Sequence, residues 1–225
     1  MCGRYLLTAS PEEIEELFGY LDGEPFPPRY NIAPTQPIPV VRIEHHVRRF
    51  ALVRWGLIPG WVKDTGDFPL LINARAESLL EKPAFRNAFR YRRCLVPASG
   101  FYEWQRRPGG GSKRPFWLEP CVAPVAFAGL WETWMNADGS EIDTACIVTI
   151  DSNAEIAPLH DRMPVVIPPQ DYAMWLEGTP DEAEALLVRP PDGTFVPHEV
   201  STQVNAVRNE GPALLDPPEQ ADLFG

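Results

Sequence analysis

The sequence predicts an α+β protein: a single domain with a curved or barrel-like, mainly antiparallel β core and short flanking helices. Three observations carry this. Short runs of β-branched and aromatic residues recur along the chain between Gly and Pro punctuation. Helical periodicity is confined to brief stretches. The 26 prolines among 225 residues favour rigid irregular connections over long helices. The length suits one domain, with no internal repeat and no dividing linker. The domain is assigned to residues 2–215 and a C-terminal tail to 216–225.

In chain order, Ser10-Pro11-Glu12-Glu13 reads as a helix start. Ser10 is the N-cap, Pro11 takes the first helical position, and Glu13 completes a capping box. Ile14, Leu17 and Phe18 follow as an i, i+3, i+4 stripe. The proline-rich stretch 23–37 reads as an ordered loop. Pro39–Arg42 and Val47–Trp55 have strand character, and Leu70–Asn73 is a further short strand. Glu81–Tyr91 reads as a helix with Pro83 in its first turn. Strands are expected at Cys94–Val96, Phe101–Gln105, Pro115–Leu118, Pro124–Trp131 and Thr144–Ile150. Gly109-Gly110-Gly111 is a hairpin tip, and short helices are expected at Asp171–Leu176 and Asp181–Leu187.

Composition narrows the function classes. No run of about 18 apolar residues exists, so neither a transmembrane helix nor a membrane partner is expected. The N-terminus lacks the pattern of a signal peptide, which points to the cytoplasm. Cys2, Cys94, Cys121 and Cys146 lie far apart without a C-x-x-C, and read as reduced thiols rather than a disulfide frame or a zinc site. No metal or other cofactor is expected. The net charge of −11 argues against nucleic acid. The distribution argues the other way: Arg86, Arg90, Arg92, Arg93, Arg106, Arg107, Lys113 and Arg114 cluster with Glu103 as the one acid among them, whereas the chain from residue 171 onward is acidic. The cluster reads either as a basic face for a phosphate-bearing ligand or as ordinary solvated surface.

Four separated segments carry groups suited to chemistry. The chain begins Met1-Cys2-Gly3-Arg4. Cys2 is small enough for removal of Met1, which would leave an α-amine of pKa about 7.7–8.0 beside a thiol of about 8.5. Such a pair condenses with an aldehyde to a Schiff base and then closes a five-membered thiazolidine; it must stay exposed to its substrate. The plain alternative is a small residue behind an initiator. Asn73 and Arg75 share one face of an extended segment, Asn73 able to hold an oxygen or amine and Arg75 a phosphate; the alternative is a strand end with an Arg75–Glu77 ion pair. Glu103 lies among Phe101, Tyr102 and Trp104, where burial raises a carboxyl toward proton-transfer range unless an arginine pairs with it. His160 is a proton donor or acceptor with Arg162 on its face in an extended segment, or a structural histidine. Trp61 is either an exposed base-stacking platform or core.

Met-Cys-Gly-Arg-Tyr, Arg-Tyr-Asn-Ile-Ala-Pro, Arg-Trp-Gly-Leu-Ile-Pro, Asn-Ala-Arg-Ala-Glu, Gly-Phe-Tyr-Glu-Trp, Phe-Ala-Gly-Leu-Trp, His-Asp-Arg-Met-Pro and Val-Asn-Ala-Val-Arg-Asn occur in this order from Cys2 to Asn209. Together they resemble the SRAP (SOS response-associated peptidase) family. The resemblance implies an SRAP-like fold and a covalent sensor and shield of abasic sites in single-stranded DNA, acting as a monomer in the DNA damage response, cytoplasmic and nucleoid-associated when bound. It implies loss of Met1 by autoproteolysis, then lyase-like chemistry in which the Cys2 amine forms the Schiff base and its thiol closes the ring. By the same resemblance Asn73 orients Cys2 and the sugar oxygen, Glu103 moves protons near the amine, and His160 assists sugar ring opening and reversal. Arg75 and Arg162 hold phosphates with Arg4 close by, and Pro34 and Trp61 lie near the DNA path.

Three other readings remain. An N-terminal-nucleophile amidotransferase would use Cys2 on glutamine, but the chain lacks that class's Asn-Gly-Glu-Ile-Tyr-Asn type segment and a synthetase half. A non-covalent single-strand-binding module would leave Cys2 incidental. A thiol protease would direct Cys2, Glu103 and His160 at general peptides.

Overall fold

The computed structural model describes residues 2–20, 23, 26–107 and 109–218. The first strand, β1 (Tyr5–Leu7), leads into α1 (Pro11–Phe18). The capping box forms as expected: Glu13 N donates to Ser10 Oγ at 3.2 Å and Ser10 N to Glu13 Oε2 at 2.7 Å. Gly19 ends the helix in the left-handed conformation. β2 (Arg29–Ile32) lies inside the stretch expected to be a loop. Its partner strand is remote in sequence, so local composition does not announce it. β3 (Pro37–Glu44) and β4 (Val47–Trp55) form a hairpin. β5 is Asn73–Arg75 rather than Leu70–Asn73; Leu71 makes only an isolated bridge to Leu57.

α2 (Pro83–Tyr91) begins at its proline and is followed by β6 (Arg93–Ala98), β7 (Gly100–Gln105), β8 (Arg114–Pro120), β9 (Val125–Met135) and β10 (Glu141–Asp151). β11 (Arg162–Pro164), β12 (Val166–Ile167), α3 (Tyr172–Glu177), α4 (Pro180–Ala185) and β13 (Phe195–Glu199) complete the order. Of the assigned tail, residues 219–225 lie outside the described residues, and so does Met1.

The barrel expected from the strand pattern is present and closed. β4 pairs with β3, β3 with β6, β6 with β9 and β9 with β10, all antiparallel, and β10 returns to β4 in parallel. That last contact is brief, Thr144 opposite Arg54 and Ala145 opposite Trp55. Beyond it β4 departs and β5 takes over its edge of β10, parallel, with Asn73 opposite Ile147 and Arg75 opposite Thr149. β11 pairs with the same end of β10, Asp151 opposite Arg162. A second, antiparallel sheet runs β13-β8-β7-β1-β2. Tyr5 and Phe101 dock it onto the barrel, edge-on to Phe127 with ring centroids at 6.5 and 6.0 Å. Each fully buried aromatic of this kind contributes about 1.5–3 kcal/mol. Among the described residues no helix is long and apolar enough to cross a membrane.

Candidate active site

The amino-terminal segment is placed by β7. Tyr5 pairs with Phe101 and Leu6 with Gly100, and Tyr102 N continues the ladder to Arg4 O at 2.9 Å. The register carries Cys2 and Gly3 alongside Glu103. Gly100 makes this possible. Its φ is +133°, and a Cβ would lie 2.6 Å from Leu118 O and 2.5 Å from Trp117 Nε1, so no side chain fits. Cys2 is 0% exposed. This corrects the exposure expected of a nucleophile. Burial first, and then the Glu103 carboxylate, push the Cys2 thiol far above its ordinary value.

Asn73 reaches the same segment from the barrel side. Its Nδ2 donates to Cys2 O at 2.8 Å, while its Oδ1 is buried without a partner among the described residues. An unsatisfied buried acceptor costs roughly 1–3 kcal/mol. Among the described residues the arrangement therefore leaves an unused acceptor beside the segment of Cys2. The Tyr5 hydroxyl is likewise buried without a partner among the described residues. Burial, and after it Cys2, keep it protonated.

Glu103 is 3% exposed on β7, and burial raises its carboxyl above the ordinary range. Gln105, on the same strand face, donates from Nε2 to Pro158 O at 3.3 Å. That bond ties β7 to the turn carrying His160, and Asp161 in this turn adds to the upward push on Glu103. His160 itself is not in a strand; it precedes β11 in a turn. Its Nδ1 lies 3.0 Å from Arg162 N and 2.9 Å from Asp161 Oδ1. One nitrogen cannot accept from the first and donate to the second. The Asp161 side chain is 86% exposed and solvated, and burial lowers the imidazole's pKa. The neutral ring, with Nδ1 as acceptor and the proton on Nε2, satisfies both facts.

Arg162 is engaged on three sides. It makes a two-pronged pair with Glu77 at 2.8 and 2.9 Å, reaches Asp151 Oδ1 at 2.6 Å, and donates to Thr149 O at 2.5 Å. These bonds hold the Glu77 carboxyl below the usual range. Glu77 thus pairs with Arg162, not with Arg75 as the alternative reading had it. Arg75 is exposed, and its guanidinium has no partner among the described residues. Arg4 points inward, donating to Asn31 Oδ1 at 2.7 Å and Val204 O at 2.9 Å, with its guanidinium 5.7 Å from the Trp104 ring centroid. Pro34 sits half-buried in the turn after β2. Trp61 is 60% exposed, edge-on to Phe68.

Sequence reasoning missed Asn31. It is 0% exposed, and its Nδ2 lies within 3.3 Å of Val204 O, 3.0 Å of Ala206 O and 2.9 Å of Asn209 O. Two of the sequence motifs, around Asn31 and around Asn205, are therefore one clamp over the amino-terminal strand. Asn205 adds its own bond, accepting from Trp104 Nε1 at 2.7 Å. A buried asparagine between two distant motifs has no local signal. The basic cluster also resolves differently from a single face. Arg93 is buried against the backbone of Trp175, Phe89 and Gly178. Arg92 pairs with Glu132 at 2.7 Å and Arg114 with Glu199 at 3.4 Å. Arg86 and Arg90 stand exposed on α2, and Arg106, Arg107 and Lys113 are exposed near the β7–β8 tip.

Asn73 thus holds Cys2 beside the buried Glu103, and Gln105 ties the strand of Glu103 to the segment that leads to His160. Residues 1–207 match the family model described as SOS response associated peptidase (SRAP). The chain is 37% identical to the abasic site processing protein YoaM of Bacillus subtilis, covering 96% of this chain and 98% of that protein. It is 36% identical to YoqW, an abasic site processing protein of the same organism, over 96% and 99%. The crystal structure of a Bacteroides thetaiotaomicron protein has the same fold, with a TM-score of 0.84 at 22% identity over 96% of this chain and 99% of that one. The chain belongs to the SRAP family.

Proposed function

We propose that this protein captures abasic sites in single-stranded DNA as a covalent adduct on Cys2. The observation that carries the reading is the grip on the terminal segment: Asn73 Nδ2 on Cys2 O at 2.8 Å, beside a buried Glu103. Relatives named abasic site processing proteins support it.

The chemistry requires a free amine. In the full-length chain Met1 acylates the Cys2 nitrogen, so water must first hydrolyse the Met1–Cys2 peptide bond. The resulting α-amine adds to the C1′ aldehyde of the ring-opened sugar. Loss of water gives a Schiff base. The Cys2 thiol then adds across the C=N bond: the S–C bond forms, the thiol proton is taken up, and the nitrogen ends as a secondary amine in the ring. Amine, aldehyde and thiol thus yield one thiazolidine and one water.

Each neighbouring group fits a step. Asn73 fixes the Cys2 carbonyl and offers its vacant Oδ1 to the amine or a sugar hydroxyl. Glu103, raised toward the useful range by burial, accepts and returns protons at the amine and thiol. His160, neutral with its proton on Nε2, donates to the sugar ring oxygen in opening and supports reversal. Arg75, exposed, takes a phosphate in this reading, and exposed Trp61 stacks on a base. Arg162, Arg4 and Pro34 act here mainly by shaping the site; for Arg162 to meet a phosphate it must share its donors with Glu77 and Asp151.

The test is an adduct stable to heat and SDS on an oligonucleotide with one abasic site, with the protein's intact mass measured first to establish loss of Met1. Cys2→Ala should abolish the adduct. Cys2→Ser should give a Schiff base trapped only by borohydride. Full yield and rate with Cys2→Ala would overturn the mechanism.

A further inference from the structure

We infer that the exposed face of α2 is a second DNA-backbone track, which takes the strand on one side of the captured site; this rests on the function proposed above. Lys82 caps the helix, and Arg86 and Arg90 follow at four-residue steps. The steps advance about 6 Å each along one helix face. All three are exposed, and none has a hydrogen-bonded or ion-paired side chain among the described residues.

As a helix, this face is badly built. A cation at the N-cap opposes the helix dipole, and Lys82 makes no side-chain cap bond. Like charges at i and i+4 repel. No acidic residue lies within α2 to offset them, although the chain carries 31 Asp and Glu against 20 Lys and Arg. Elsewhere this protein does pair its arginines, as Arg42, Arg92 and Arg162 show. Arg90, in the last turn, suits the helix dipole, but the unpaired cations at Lys82 and Arg86 cost stability locally, and the row together points to an external partner, here a polyanion. Tyr91, the last residue of α2, is 75% exposed beyond Arg90 and available to stack a base.

The position relative to Cys2 selects the partner. β5, whose Asn73 holds Cys2 and whose Arg75 is exposed, runs through a 3-10 turn at Ala76–Ser78 directly toward α2. Leu79 joins Phe85, Ala88 and Phe89 of α2 in the core, with Ala76 and Leu80 packed against it; the cavity of about 190 Å³ between them is also lined by Glu77, Glu81 and Glu184. On this inference a strand that leaves the site past Arg75 runs on over Lys82, Arg86 and Arg90.

The experiment compares three single-stranded probes by fluorescence anisotropy over a salt series, and by adduct yield. One carries the abasic site with about two nucleotides on each side; the others extend this by about ten nucleotides on the 5′ or the 3′ side only. Wild type should bind one extended probe more tightly than the short one. In Arg86→Ala/Arg90→Ala that gain should fall roughly tenfold, and the slope of log K against log salt should drop by about 1.4, two phosphates at about 0.7 each. Arg86→Lys/Arg90→Lys should keep the slope. Adduct yield on the short probe should match wild type. Equal loss on both extensions, loss on the short probe, or no loss anywhere would overturn the inference. If wild type forms no adduct while the slope difference persists on undamaged strands, the capture chemistry fails and the track stands.

Discussion

Glu103 is a carboxyl that the fold buries at a cost. Its carboxyl is buried, and burial raises its pKa above 4.5 in the fold. A group shifted upward stabilises the native state fully below its unfolded pKa, and that contribution is lost as pH rises through the folded value. At pH 7, above the unfolded value, the buried carboxyl is therefore a cost. Glu103→Gln, of the same shape without the charge, should raise Tm at pH 7, with the gap narrowing toward pH 4.5, as thermal melts across that range would show. The same variant should slow adduct formation by about 10²-fold, the usual scale for a lost proton-transfer group. A lower Tm together with an unchanged rate would remove Glu103 from the chemistry. The residue's type and its aromatic neighbours were readable in the chain. The exposure expected of Cys2 was wrong, because its burial arises from β1 pairing with β7 and from Asn73, neither of which is local to it.

At the scale of elements, Arg162 links three strands. Lying on β11, it pairs with Glu77 just after β5 and with Asp151 on β10. These strands carry or flank Asn73 and His160, so the ion pairs keep the two sides of the site in register. The carboxylate partners are 48% and 65% exposed, which lets them resolvate and discounts the pair for solvent screening. Arg162→Ala should therefore cost about 1–2 kcal/mol, a fall in Tm of roughly 2–8 °C. Arg162→Lys should recover little, since an ammonium cannot replace the two-pronged geometry. The Glu77 carboxyl is held low, so its contribution is present above pH 4.5 and lost as pH falls through the folded value. The difference between Arg162→Ala and wild type should shrink in acid, as melts at falling pH would record. The start of helix α1 was legible from its capping box and β4 at both ends, with β3 and α2 nearly so. β1, β2, β5 and β11 are short, and pairing with distant strands creates them; each is too brief for periodicity to register.

For the whole molecule, charge and closure act together. The net charge of −11 repels a polyanion at long range. Binding to undamaged duplex at physiological salt should therefore be weak, with Kd no tighter than about 10⁻⁴–10⁻⁶ M, and anisotropy titration would check this; tight duplex binding would argue against a confined basic track. The sequence by itself determined the fold class, the α1 capping box, and the candidacy of Cys2, Asn73, Glu103 and His160, because those depend on residue type, short-range spacing and motif order. Only the tertiary structure decided the rest. It closed the barrel through the short β10–β4 contact, enclosed Cys2, divided one basic run into buried, paired and exposed arginines, and gave Glu77 to Arg162 in place of Arg75. Ion-pair choice and burial depend on which strands lie side by side. That is set by the summed packing of residues far apart in the chain, which no local pattern records.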